Sequence, residues 1–127
     1  MKTQLTKEQS QHLIDSGLKF PYKIAIHDGT NIKTILGEEI PEPKGWYIPI
    51  YITDLLEILP KEVIIPMETY LDIPANLVIN GFDGEWGVEY EYMDAEKRVL
   101  SYIHCETEEL IDALYELTIW CIEKGLI

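Results

Sequence analysis

The sequence predicts an α+β domain: an antiparallel sheet of three to four strands packed on a C-terminal helix, with two further short helices. Two segments carry this prediction. Residues 85–92 alternate between glutamate or glycine and large apolar side chains, and residues 108–124 place apolar side chains at helical spacing. The chain has 127 residues, of which 46% are hydrophobic, enough for a buried core. We expect residues 1–127 to form a single domain.

A first helix of about eleven residues is predicted near the start of the chain. Thr6 can cap its N-terminus, Gln9 completes a capping box, and Gly17 suits the left-handed residue that follows a helix. Its apolar stripe is narrow and consists mainly of Leu13 and Ile14, so we expect this helix to lie on the surface.

The segment from Phe20 to Trp46 has the weakest regular pattern. Ile24 and Ile26 alternate with small or polar neighbours and predict a short strand. Turn-forming residues follow at 27–31, and the proline- and glycine-rich run 37–45 predicts a long surface loop.

The centre of the chain predicts a short strand followed by a short helix. Residues 47–52 are apolar and aromatic, although Pro49 restricts them to an edge of a sheet. Thr53 is the predicted N-cap of a helix over residues 54–59, and Pro60 ends that helix.

Residues 70–106 predict a three-stranded antiparallel meander with one face in the core and one facing water. Within it, the side chains of Trp86, Val88 and Tyr90 are expected on the core face. The predicted strands are 75–80, 85–92 and 98–105, connected by a turn at 81–84 and a loop at 93–97.

The side of the sheet on which His104 lies depends on the register of the second hairpin. If Tyr90 faces Leu100, His104 shares the core side with Trp86. If Tyr90 faces Ser101, His104 lies on the outer side with the glutamates. A shift of one residue moves every side chain of a strand to the other face, so both alternatives stay open.

The last helix is predicted to begin after Thr107, as its N-cap, and to end at Gly125. Its apolar side chains cover more than half of the circumference. An arc this wide should contact the sheet and also a second element, either the 54–59 helix or a second subunit. Ile119 falls within the acidic stripe and is expected to be exposed. The arc is centred on Leu110, Leu114, Leu117 and Cys121.

The chain is strongly acidic, with a net charge of −13, and residues 65–127 account for most of it. Such a field repels phosphates and anionic lipids, so we expect no direct binding to nucleic acid or to a membrane. It favours a basic protein partner, or serves solubility alone. The N-terminus has no apolar core of the kind an export signal needs, and we expect a cytoplasmic protein.

No motif indicates a particular chemistry. His104 and Cys105 are adjacent on a predicted strand, so their side chains point to opposite faces and cannot share a metal. Cys105 and Cys121 have no CxxC spacing and are expected to be core residues. We therefore expect no catalytic residue, no cofactor and no metal, and the sequence disfavours an enzyme.

Two groups of residues are candidates for an interaction surface. Trp46, Tyr47 and Tyr51 lie beside the proline-rich loop, where aromatic side chains could anchor a partner; closing the edge of the core is their commoner role. The second group is acidic and comprises Glu85, Glu89, Glu91, Glu109 and Glu116.

Three segments carry a resemblance to known sequences: Leu5–Ile14, Thr53–Pro60 and Leu110–Gly125. Together they resemble short uncharacterised proteins of gut Bacteroidetes genomes and their prophages. That group has no assigned activity, cofactor or catalytic residue. The resemblance implies a bacterial cytoplasmic origin and a mobile-element context.

Three hypotheses about function follow. The leading one is a small, non-catalytic, acidic interaction or accessory protein, encoded by a prophage, with a basic protein as its partner. The second is a small-molecule hydrolase that uses His27 and nearby acids. The third is a structural homo-oligomeric subunit, with the apolar arc of the last helix as its dimer face.

Overall fold

The computed structural model describes residues 1–21, 23–27, 32–36, 48–66 and 72–127. It confirms the predicted α+β class, with the C-terminal helix packed on an antiparallel sheet of four strands. The helices are α1 (Lys7–Asp15), α2 (Ile52–Ile58) and α3 (Leu110–Glu123). The strands are β1 (Lys23–His27), β2 (Ile32–Leu36), β3 (Glu62–Ile65), β4 (Ile73–Phe82), β5 (Glu85–Met93) and β6 (Val99–Thr107).

The main sheet has the order β3-β4-β5-β6, and every neighbouring pair is antiparallel. Strand β3 is an addition to the predicted three-stranded meander. Strands β1 and β2 pair with each other in a separate two-stranded sheet. The predicted strand at Ile24 and Ile26 therefore exists, whereas its partner β2 was not expected.

Helix α3 covers one face of the main sheet, and the core lies between them. Its predicted apolar arc is buried, and α2 packs against it as the expected second element. The prediction for Ile119 was wrong: its side chain is half-buried and packs against the core. The largest fully buried side chains include Tyr90, Phe20, Leu13, Ile50, Leu55, Ile111, Leu114 and Leu117.

The predicted ends of α1 are confirmed. The Thr6 hydroxyl accepts the Gln9 backbone N–H at 3.1 Å, and the Gln9 side chain accepts the Thr6 N–H at 3.0 Å. Gly17 follows the helix with a φ of 101°, a conformation that glycine adopts at little cost.

Both other predicted N-caps were wrong. Helix α2 begins after Tyr51, whose backbone N–H donates to the Asp54 carboxylate at 2.8 Å, so Thr53 already lies inside the helix. Helix α3 begins after Glu109, because Thr107 belongs to β6 and pairs there with Trp86.

Residues 47–52 do not form the predicted strand over their described part, which begins at residue 48. Tyr51 makes a single bridge to Gln4, supported by a 2.9 Å hydrogen bond from Leu5 N to Ile50 O. The predicted turn residues 28–31 and loop 37–45 lie outside the described residues.

The hairpin between β4 and β5 is tighter than predicted, because β4 continues to Phe82. Only Asp83 and Gly84 form the turn, with φ values of 44° and 78°. Two consecutive positive φ angles are typical of the type I′ turn, whose twist matches that of the flanking strands.

A β-bulge in β6 settles the register left open above. Tyr90 faces Ile103 and Glu91 faces Ser101, so Tyr102 has no partner opposite it. Both predicted partners of Tyr90 were therefore wrong. His104 faces Glu89 and lies on the outer side of the sheet, as in the second alternative.

Candidate functional site

The candidate site is the face of the main sheet opposite α3, here called the outer face. Pairing across β5 and β6 fixes its side chains: Glu89 stands beside His104, and Gly87 stands beside Glu106. Four glutamates therefore lie on two neighbouring strands, namely Glu85, Glu89, Glu91 and Glu106. Among the described strand residues of this face, His104 is the only ionisable cation.

His104 lies between two of these glutamates. Its Nδ1 is 3.1 Å from Glu89 Oε2, and its Nε2 is 3.1 Å from Glu106 Oε2. A carboxylate only accepts hydrogen bonds, so both ring nitrogens must donate, which requires the imidazolium form. These hydrogen bonds to Glu106 and Glu89 raise the pKa of His104 above its ordinary value.

The two remaining glutamates extend this arrangement at either end. Glu85 shares a hydrogen bond with Glu106, which raises the pKa of Glu85. Glu91 shares one with Glu89, which likewise raises the pKa of Glu91. Each end of the row therefore takes up a proton more readily than an isolated glutamate does. The row Glu91–Glu89–His104–Glu106–Glu85 is called the glutamate–histidine chain below.

The inner two glutamates are held ionised. Partial burial acts to raise the pKa of Glu89, but hydrogen bonds with Glu91, Ser101 and His104 outweigh it and lower the pKa. Hydrogen bonds with Glu85 and His104 lower the pKa of Glu106. At the centre of the row, positively charged His104 lies between negatively charged Glu89 and Glu106. The surface as a whole is acidic.

Gly87 makes room for the imidazole ring. A Cβ atom at this position would lie 3.0 Å from Cε1 of His104, closer than ordinary contact allows. The absence of a side chain on β5 thus lets the ring of His104 lie across the strand, where it reaches both Glu89 and Glu106.

This arrangement suits the binding of a cation better than nucleophilic chemistry. Both nitrogens of His104 are engaged by carboxylates, so neither is free to serve as a general base. Burial raises the pKa of Cys105 to about 11 and also raises that of Cys121, which keeps both thiols protonated and unreactive. No group of three or more His, Cys, Asp or Glu side chains in the described part of the chain could hold a metal ion.

A groove opens at one end of the outer face, where the sheet forks. The β4–β5 pairing ends at Asn76 and Glu91. Beyond that point β4 pairs with β3 alone, and β5 pairs with β6 alone. The bulge at Tyr102 coincides with the fork, and bulges bend strands and increase their twist. This fork groove has a volume of about 370 Å³ and is lined on the outer side by Pro74, Asn76, Val78, Glu91, Met93 and Val99.

The structure divides the predicted interaction surface between two sides of the molecule. Glu85, Glu89 and Glu91 come together on the outer face, whereas Glu116 lies on α3 and is exposed there. Glu109 accepts a 2.9 Å hydrogen bond from the backbone N–H of Lys2, so its role is to anchor the N-terminal segment.

The predicted aromatic surface is not assembled. Tyr51 is 44% exposed beside the start of α2, and Trp46 and Tyr47 lie outside the described residues. Two acidic side chains of the outer face were not predicted: Glu106 of β6, and Glu62 of β3, which faces Asn76. His104 and Glu106 are two residues apart on β6 and therefore share a face. Glu106 could thus have been predicted once the bulge had fixed the register.

Comparison with known proteins identifies no relative of this chain. No family model, curated protein or solved structure matches this chain. Membrane-spanning helices are also lacking over the described residues, where no helix is both long and apolar enough. The geometry of the outer face is therefore the basis for a proposed function.

Proposed function

We propose that this protein is a small, non-catalytic, acidic interaction protein that binds a basic segment of another protein through its outer face. The single observation that carries the proposal is the gathering of Glu85, Glu89, Glu91 and Glu106 on two adjacent strands, with only His104 as a cation between them. Carboxylates held this close repel one another, and a bound arginine or lysine would relieve that repulsion.

The pKa directions support the same proposal. Raised pKa values at Glu85 and Glu91 mean that these carboxylates are costly to ionise in the free protein. A guanidinium placed beside each pair would lower these pKa values, so binding of the cation and release of a proton would be coupled. The bidentate geometry of arginine fits two neighbouring carboxylates better than the point charge of lysine.

The apolar arc of α3 gives no support to the alternative of a homo-oligomeric subunit. Leu110, Leu114, Leu117 and Cys121 are buried within the chain itself, so the arc is already covered. The hydrolase alternative depends on His27, whose side chain lies outside the described residues.

The cellular setting is proposed on the sequence resemblance alone. A bacterial, prophage-encoded accessory protein in the cytoplasm is the setting that we propose, and a basic nucleic-acid-binding protein is one partner of suitable chemistry. Such a partner would be contacted by protein rather than by direct binding of nucleic acid to this acidic chain.

Binding of a cationic peptide with matched charge variants tests the proposal. The probe is a fluorescent peptide of three Arg-Ser-Ser-Ser repeats, titrated at low ionic strength. Neutralising the outer face with Glu89→Gln, Glu91→Gln and Glu106→Gln should weaken binding at least about tenfold, since each lost contact removes a charge-assisted hydrogen bond.

The control removes the same charge elsewhere. Glu57→Gln on α2 and Glu116→Gln and Glu123→Gln on α3 replace exposed side chains away from the outer face and remove the same number of negative charges. This triple variant should bind nearly as the parent does. Equal losses in the two triple variants would show that net charge alone attracts the peptide, and the outer face would then lose its proposed role.

A further inference from the structure

We propose that the fork groove selects the partner sequence: it binds an apolar side chain two residues from the arginine or lysine held by Glu91. This inference rests on the proposed function and adds to it the spacing of the recognised segment. It is carried by the position, the lining and the size of the groove.

The groove exposes apolar side chains that the fold does not use. Met93 is 57% exposed and Val99 is 61% exposed, and the two face each other across β5 and β6. Pro74 and Val78 line the opposite wall. Apolar patches with a charged rim are typical of interaction sites, and methionine adapts its shape to different partners.

The size of the groove limits what can enter. A volume of about 370 Å³ lies near the lower limit of about 300 Å³ for small-ligand pockets. It accommodates one large apolar side chain of a peptide rather than the face of a helix. The open shape suits an extended segment lying along β5.

The arrangement of Glu91 and Met93 defines the spacing. They are two residues apart on β5 and on the same face, about 7 Å from each other along the strand. An extended peptide repeats its side chains on one face with the same period. An arginine on Glu91 would therefore place the side chain two residues away in the groove.

Charge selects the kind of occupant. Glu91 stands at the apex of the fork, and Glu89 shares a hydrogen bond with it. A second copy of this chain, with its net charge of −13, would bring further negative charge to this point. A segment of a basic protein instead supplies both the cation and the apolar side chain.

Two peptides of identical composition test the spacing. One consists of three Arg-Ser-Leu-Ser repeats, which put leucine and arginine on the same face of an extended chain. The other consists of three Arg-Leu-Ser-Ser repeats, which put them on opposite faces. The protein should bind the first about tenfold more tightly, the gain expected from burying one leucine side chain.

Variants of the groove locate the effect. Met93→Gln together with Val99→Thr keeps side-chain shape and net charge, and should remove the preference for the first peptide. Phe82→Thr changes an exposed apolar side chain at the far end of the same face and should leave the preference intact.

Each other outcome overturns the inference in a distinct way. Equal binding of both peptides by the parent protein would remove the groove from recognition, while binding of the leucine-free peptide would still support the proposed function. Loss of preference in Phe82→Thr as well would point to a general apolar effect. A dimer in sedimentation that the groove variant dissociates would identify a second copy as the occupant.

Discussion

At the scale of single residues, Ser10 in α1 is a buried polar side chain, only 1% exposed. Its Oγ has no hydrogen-bond partner among the described residues. A buried hydroxyl without a partner costs about 1–3 kcal/mol. Replacing Ser10 by alanine removes that cost and improves helix propensity. We expect Ser10→Ala to increase the free energy of unfolding by about 1 kcal/mol, measured by denaturant unfolding.

Ser16→Ala is the matched control for this substitution. The Ser16 hydroxyl is exposed and donates to the His12 carbonyl at 2.7 Å, so its removal should change stability by less than about 0.5 kcal/mol. If Ser10→Ala were destabilising, the Ser10 hydroxyl would have to make a contact that the structure does not contain.

His104 provides the second prediction at this scale. Its pKa is raised in the folded protein above the ordinary value of 6.5, through Glu106 and Glu89. The protonated ring therefore stabilises the fold. This contribution is fully present below pH 6.5 and is lost as the pH rises through the folded-state pKa. The stability difference between the parent and His104→Gln should thus shrink as the pH rises from 6.5 through the folded-state pKa.

Denaturant unfolding of both proteins across that range measures the difference directly. Glu85 and Glu91 also lie on the outer face and have raised pKa values. Because they titrate in both proteins, they affect the stability of both. A difference that grows with pH would mean that His104 is neutral in the folded state. The hydrogen bonds of both ring nitrogens to carboxylates would then be incorrect.

At the scale of elements, the ends of a helix were predicted correctly where local capping residues and the packing of the chain favour the same position. In α1, Thr6, Gln9 and Gly17 satisfy the ends of the helix by themselves, and the structure uses them as predicted. At α3, Thr107 is a good capping residue by type. Thr107 instead pairs with Trp86 as the last residue of β6, and Glu109 becomes the N-cap. The helix therefore starts two residues later than a Thr107 cap would place it.

The strands were harder to predict, for physical reasons. Strand β3 has four residues, too few for a period of two to be distinguished from other apolar runs. At the bulge, the ring of Tyr102 packs against Trp120, at 5.6 Å between centroids, and a contact between residues this far apart in sequence leaves no local signal. Two of the five members of the glutamate–histidine chain, His104 and Glu106, are placed by the register that this bulge sets, so their position could not be fixed beforehand.

Tyr90 connects the centre of the sheet to the end of α2. Its hydroxyl donates to the Pro60 carbonyl at 2.7 Å, and the side chain is fully buried. Tyr90→Phe keeps the ring but leaves that carbonyl without this donor. We expect the free energy of unfolding to fall by about 1–2 kcal/mol, measured by denaturant unfolding.

Tyr92→Phe is the control for Tyr90, two residues further along the same strand. Tyr92 is half-buried on the same face, so its substitution should change stability by less than about 0.5 kcal/mol. Equal effects of the two substitutions would show that the hydrogen bond to Pro60 contributes nothing to the connection between β5 and α2.

At the scale of the whole molecule, the net charge of −13 affects folding and binding in opposite ways. The acids of α3 and of the outer face lie on different sides of the molecule, and together they oppose compaction. On the outer face, we propose that the same charge attracts a cationic partner. The composition alone predicted this attraction in general terms, and only the strand register identifies the glutamates that gather at one place.

Added salt separates these two effects. Raising NaCl from about 0.02 M to about 0.3 M shortens the screening length, so it should raise the melting temperature and weaken binding of the Arg-Ser-Ser-Ser peptide. The Glu57→Gln, Glu116→Gln and Glu123→Gln variant should gain less stability from salt, because part of the repulsion is already removed.

In that variant the salt dependence of peptide binding should stay as steep as in the parent, since the outer face is unchanged. If binding became less salt-dependent as well, the peptide would be responding to the field of the whole molecule. If salt lowered the melting temperature of the parent, attractive pairs such as Lys2 with Asp112, 2.9 Å apart, would outweigh the repulsion among the acids. The surface would then consist mainly of paired charges. The glutamate–histidine chain would not be a local excess of negative charge whose repulsion a bound cation reduces.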